Sequence, residues 1–215
     1  MKHLITLVLA FLGLQLSAVA QDDDMFNYKI IKNDGDTIYT IDTWYRYSQG
    51  FDGFFVKSMF VKVDGEDVKF TANETKRVEM VNVNDESDKY VFETVPTSGQ
   101  LFIRTLTFLP ITFEGRRFKL GVIHWSQRGK GSGINYYLYD PERNGGDAHI
   151  FHQSPPGGSK TAYWGMEKTI KGYLRHYPTV KKMIDEKVFD KDTLARHPEY
   201  LVMYLDENFT EEDGK

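Results

Sequence analysis

Several stretches of this chain hold residue types able to do chemistry. In "DAHIFH", Asp147, His149 and His152 are a metal-ligand set by type, one carboxylate and two imidazoles. Positions three apart share a face on a helix and oppose each other on a regular strand. Glycines and prolines flank the motif, and no fourth ligand is in view. The plainer expectation is a surface loop with two solvated histidines. A second stretch, "QRGKGSGINYYLY" (127–139), imitates a phosphate cradle with three glycines, a lysine and an arginine. A phosphate loop of the G-x-x-x-x-G-K-[ST] form lies between a strand and a helix and uses that helix's N-terminus. Here Lys130 falls between Gly129 and Gly131, and the chain runs on into the strand-like "INYYLY". The glycines are expected to let the backbone turn between two strands.

His124 continues the apolar face of Phe118, Leu120 and Val122. Its ordinary pKa suits general-base work. Ser126 is close, but no acid is placed by sequence to complete a triad. A structural histidine at a strand end is expected, and no catalytic residue is assigned. Trp44 and Arg46 form the most suggestive pair. They alternate with Tyr45 and share a face with Asp42 in "TIYTIDTWYRY". A tryptophan beside an arginine on an outward face can stack on a sugar or peptide ring. If another element covers that face, Trp44 is core instead, which is the commoner fate of a large aromatic. Trp44 and Arg46 are thus the candidate ligand-binding residues, and Asp147, His149 and His152 the candidate metal ligands.

The elements that must position these residues are strands. From about Phe26 to Tyr139 the chain alternates apolar and polar residues between tight turns. Asp34-Gly35 predicts a type I′ hairpin turn, with positive φ at both central residues. In the strand that follows, Tyr39, Ile41, Tyr45 and Tyr47 are expected on the buried face, opposite Thr40, Asp42 and Arg46. Asp64-Gly65 turns the chain again. "KRVEMVNV", "KYVFETV", "LFIRTLTFL" and "FKLGVIHW" follow. Turns about every ten residues indicate a meander, sandwich or barrel rather than βαβ units.

After Tyr139 the texture changes. "DPERNGGDAHIFHQSPPGGS" (140–159) reads as a linker loop. From Ser159, apolar residues recur at helical spacing, with breaks at Pro178 and Pro198. The last stripe is Tyr200, Leu201, Tyr204 and Leu205. Such helices must bury their stripes. "FKLGVIHW" and "INYYLY" are apolar on both faces, so they are the expected receivers. The fold class is therefore α+β, an antiparallel β-sheet covered by C-terminal helices. Residues 21–139 form the β domain, 140–159 the linker and 160–209 the helical segment.

The first twenty residues predict the compartment. Lys2 and His3 precede the apolar "LITLVLAFLGL", which is too short to span a bilayer as a helix. Ala18-Val19-Ala20 supplies a small-x-small cleavage signal. A signal peptide over residues 1–20 is expected, cut before Gln21, leaving no transmembrane segment. Export then means the periplasm or the medium. The chain contains no cysteine, so its stability rests on its core. Its 27 basic and 31 acidic residues give a net charge of −4, one unit more negative without Lys2. That balance argues against non-specific nucleic-acid binding, which needs a basic surface. The 31 aromatic residues, 13 Tyr, 15 Phe and 3 Trp, suit a pleated sheet.

Three segments carry a resemblance. They are "GDTIYTIDTWYRY", "VIHWSQRGKGSGINYYLYD" and "YLRHYPTVKKMIDEKVFDKDTLARHPEYLVMYLDENF". Over roughly residues 28–208 the layout resembles a broad group of exported proteins of Gram-negative bacteria, with a signal peptide, a β-rich middle and a short helical tail. The resemblance implies export and this layout, but no activity, cofactor or catalytic residue. The expected function is non-enzymatic binding or interaction with an envelope or extracellular ligand, without a cofactor. The alternatives are a hydrolase of envelope or extracellular polymers, built round His124 or the 147–152 stretch, and a small-ligand carrier with an apolar cavity.

Overall fold

The computed structural model describes residues 24–49, 56–98, 104–127, 131–142, 148–154, 186 and 196–210. Along the chain the strands are β1 (Phe26–Lys32), β2 (Thr37–Asp42), β3 (Arg46–Gln49), β4 (Val56–Val63), β5 (Glu66–Thr71), β6 (Thr75–Asn82), β7 (Lys89–Ser98), β8 (Arg104–Glu114), β9 (Lys119–Gln127), β10 (Gly131–Tyr139) and β11 (Ala148–Ser154). Among the described residues one helix, α1 (Glu199–Asn208), follows them. The strands form one curled, mostly antiparallel sheet, a half-barrel, in the order β2-β1-β6-β7-β11-β10-β9-β8-β4-β3, with β5 paired to β4.

The longest strands, β7 and β8, organise the sheet. They pair directly, from Val91 opposite Ile111 to Ser98 opposite Arg104. Strand alternation sends their side chains to two separate cores. Phe92 and Phe108 project to one side and meet Tyr28, Ile30, Met59, Val61, Val78 and Met80. Val95, Leu109 and Ile111 project to the other and meet Ile123, Tyr137 and Tyr139. The same hairpin therefore walls both cores. Fully burying a side chain of this size contributes about 1.5–3 kcal/mol. Gly121 on β9 permits the close approach in the second core. A Cβ there would lie 2.3 Å from Leu109 Cγ.

The hairpin turns differ from one another. Asp64 and Gly65 both have positive φ, 53° and 84°. They close the two-residue loop between Val63 and Glu66 that a type I′ turn requires. At Asn33–Gly35 only the glycine has positive φ, at 96°. Gly35 N–H donates to Lys32 O, and Lys32 N–H donates to Asp36 O. The predicted type I′ turn is thus replaced by a longer loop with a left-handed glycine, whose geometry places the positive φ on Gly35 alone.

The strand expected over Thr37–Tyr47 is two strands joined by a turn at Thr43–Tyr45. Its facing is also the reverse of the expectation. Tyr39 and Ile41 are exposed, while Asp42 is buried. Register explains this. Ile38, Thr40 and Asp42 stand opposite Ile30, Tyr28 and Phe26 of β1, whose side chains make the core. Tyr45 is nevertheless buried, because the turn resets the phase of alternation.

Both faces of β9 and β10 are covered, as their composition requires. Phe118, Leu120, Val122 and Leu138 are buried on one face, and Ile123, Tyr137 and Tyr139 on the other. The segment read as a linker contains β11. It pairs antiparallel with β10 and, at Ala148–Thr97, parallel with β7. The free edge of β10 recruits backbone that carries little sequence signal of its own. Helix α1 begins after Pro198, at the expected break, and buries Leu201, Val202 and Leu205. Its stripe is rotated from the predicted one: Val202 is inside and Tyr200 is exposed. Among the described residues no helix is long and apolar enough to cross a membrane.

Candidate ligand-binding site

The turn at Thr43–Tyr45 holds Trp44 at one end of the sheet. Asp42 builds that turn. One of its carboxylate oxygens accepts from Thr43 N–H at 2.8 Å, the other from Lys62 N–H at 2.7 Å. The Tyr28 hydroxyl donates to Thr43 O at 2.7 Å. Of the anchoring residues Tyr28 and Asp42 are buried, while exposed Lys62 on β4 lends its backbone N–H. The indole meets the ring of Phe26, from β1, at 5.4 Å and 75°. It meets Tyr90, from β7, at 4.7 Å and 89°. Phe26 and Tyr90 are 6.0 Å apart at 71°. The three rings are nearly perpendicular to one another, the edge-to-face arrangement that ring quadrupoles favour. Phe26 is buried and forms the floor, whereas Trp44 and Tyr90 remain 43% and 39% exposed.

These rings line a cleft of about 450 Å³ with Asp24, Thr43 and Asp88. Asp88 belongs to the ordered turn between β6 and β7. Asn82 Nδ2 donates to its carboxylate at 3.0 Å, and Asn82 N–H donates to its carbonyl. Asp85 caps the same turn through Ser87 N–H and Oγ. The Tyr90 phenol is raised above its ordinary pKa by its hydrogen bond to Asp88, then by burial and by the charges of Asp88 and Asp24. Among the described residues the lining contains two carboxylates and no basic side chain.

A second cleft, of about 540 Å³, lies between the β9–β10 face and the start of α1. His124, Tyr136, Arg196 and Glu199 line it with apolar neighbours. Burial and the Glu199 charge raise the Tyr136 phenol. His124 is exposed. Glu199 is engaged by His197 Nδ1 at 3.2 Å. A histidine base needs a third group to orient its ring, and no hydrogen bond to His124 is found among the described residues.

A third polar cluster sits at the rim of the second core. Glu93 is 7% exposed and accepts from Lys119 Nζ at 2.7 Å, from Tyr139 and from Arg77. Lys119 and Arg77 also grip Glu114, at 2.7 and 3.2 Å. Burial pulls the Glu114 carboxyl up, but hydrogen bonds and charges from Arg77 and Lys119 overcome it and hold it at about 2. Burial and the bond to Glu93 raise the Tyr139 phenol. Each charge here has a partner, so the cluster reads as a joint between β6, β7, β8 and β9.

The sequence candidates separate. Trp44 is in the cleft, half-exposed rather than core. Arg46 is turned to Asp67 on β5, with which it forms an exposed ion pair, and is not part of the lining. Asp147 lies outside the described residues. His149 and His152 are on β11, opposite Leu138 and Tyr136 of β10, with a register shift between them. Among the described residues no group of three metal-ligating side chains is found. Two glycines of the stretch lie in β10 itself, Gly131 opposite Gln127 and Gly133 opposite Trp125 on antiparallel β9. Arg128–Lys130 lie outside the described residues. Phe26, Asp24, Asp88 and Tyr90 were not foreseen. Their only sequence signal is an acid two positions before an aromatic, twice, in "DMF" and "DKY". No protein-family model, no curated protein and no solved structure matches this chain.

Proposed function

We propose that this protein is an exported, non-enzymatic binding protein whose ligand seats in the Trp44–Tyr90 cleft. Residues 1–20 act as the signal peptide in this reading, and processing places the new N-terminus at Gln21, three residues before Asp24. Of the helical segment expected over 160–209, α1 is described, and residues 160–185 and 187–195 lie outside the described residues. One observation carries the proposal. Two large aromatics stay half-exposed side by side, Trp44 on a turn held by part-buried hydrogen bonds and Tyr90 at the start of β7, where an apolar pair would otherwise be sunk into the core. The second reading, a hydrolase of extracellular polymers, draws on the cleft at His124, Arg196 and Glu199. The half-exposed Trp44–Tyr90 pair favours the first.

The test is a thermal-shift screen of the exported protein against sugars, amino acids, alkylammonium compounds and peptides. At least one class is expected to raise Tm for the wild type and for His124→Ala, and to lose the effect in Trp44→Ala. Binding stabilises the folded state by an amount that grows with the logarithm of ligand concentration above Kd. Hydrolysis of a glycoside, ester or peptide that vanishes in His124→Ala would overturn the proposal.

A further inference from the structure

Resting on that reading, we infer that the cleft selects an organic cation of the quaternary-ammonium class. Three features of the lining point the same way.

The first is ring geometry. Trp44 and Tyr90 stand at 89°, and Phe26 closes the corner at 75° and 71°. A pyranose stacks best on a flat ring surface. Perpendicular rings present no common plane, but they surround a rounded group from several directions. An alkylated ammonium is rounded, apolar at its surface and positive throughout. It is attracted to ring faces by the quadrupole, and more strongly as water is excluded.

The second is charge. Asp24 and Asp88 flank the rings, and the lining described contains no cation to neutralise them. Along the chain Asp24 ends the run Asp22-Asp23-Asp24, and Asp88 ends the acidic turn Asp85-Glu86-Ser87-Asp88. Asp24 and Asp88, distant in sequence, thus meet at one aromatic corner. A neutral ligand would gain little from this field; a cation is both steered by it and held. Asp88 already accepts a hydrogen bond from Asn82, which fixes its carboxylate in place beside the rings.

The third is size. A cleft of about 450 Å³ is at the small end of ligand sites. It takes a headgroup, not a polymer chain.

The experiment compares choline with its uncharged carbon isostere, 3,3-dimethylbutan-1-ol, and with the neutral sugar cellohexaose. Each is titrated into the protein while the indole N–H resonance of Trp44, assigned from Trp44→Ala, is followed by NMR. Choline is expected to shift that resonance saturably, and the isostere at least about tenfold more weakly. Raising NaCl from about 0.05 to about 0.5 M should weaken choline binding by screening. Asp24→Asn, an exposed change that leaves the rings intact, should weaken it several-fold, as should Asp88→Asn. If choline and the isostere bind equally, or only cellohexaose binds, the cation inference is overturned while the binding site at Trp44 stands. If choline produces no saturable shift up to about 100 mM, far above the range a formed aromatic site requires, the inference also fails. The thermal-shift screen then decides separately whether Trp44 binds anything.

Discussion

Glu114 shows how one carboxyl ties chemistry to stability. Two cations hold it at about 2 against an ordinary value of 4.5. A carboxyl with a lowered folded-state pKa binds fewer protons when folded than when unfolded. Its contribution is therefore complete above about 4.5 and is lost as pH falls toward about 2. The urea midpoint should decline across that window, and Glu114→Gln should flatten part of the decline. An unchanged profile in the variant would show that the joint at Arg77 and Lys119 does not depend on this charge. Because Glu114 is 43% exposed, water screens the pair and the effect belongs at the modest end. Trp44 illustrates the opposite use of a side chain. Its edge-to-face contacts suit packing, yet the turn leaves its surface open.

The docking of α1 is the clearest device at the level of elements. The turn between β8 and β9 aims three backbone N–H groups, those of Arg116, Arg117 and Phe118, at the carboxylate of Asp206. Gly115 makes room for it, since a Cβ there would fall 2.1 Å from Asp206 Oδ2. The Arg116 guanidinium reaches Asp206 O at 2.6 Å, and the Arg117 guanidinium lies 4.0 Å over the Phe209 ring. Arg117 is itself fixed by buried Asp140, at 2.8 Å. A short helix with three buried apolar residues is thus latched at its C-terminal end. Asp206→Ala leaves those N–H groups without their acceptor, at a cost of about 1–3 kcal/mol. Amides of Leu201–Leu205 should then exchange faster while those of β1 and β6 keep their protection. Equal acceleration of both would show that the latch serves the whole sheet rather than the helix.

For the molecule as a whole, the shared β7–β8 hairpin makes one cooperative unit of two cores. Phe92 and Val95 are neighbours on one strand but face different cores. Phe92→Ala should cost about 3–5 kcal/mol, and Val95→Ala somewhat less. Both should lower the same melting transition, read by calorimetry as a single peak. Two peaks, only one of which moves with each variant, would mean that the cores unfold independently.

Much of this architecture is legible along the chain because it is local. Alternation marks β1 and β4 to β9, glycine marks the turns, and Pro198 marks the start of the last helix. The apolar doubling of "FKLGVIHW" and "INYYLY" reveals a hairpin covered on both sides. Other features required three dimensions. Which face of Thr37–Asp42 is buried depended on register with β1, since a half-exposed edge strand carries apolar residues on either side. β11 depended on an edge waiting on β10, because a short extended segment between glycines and prolines has no period long enough to read. The cleft depended on the start of β1, the turn at Thr43–Tyr45 and the turn before β7 meeting at one end of the sheet. Residue types and turn chemistry are properties of neighbours in sequence. Convergence of Trp44, Tyr90 and two carboxylates is a property of strand pairing across tens of residues, and pairing is decided only when the sheet closes over its cores.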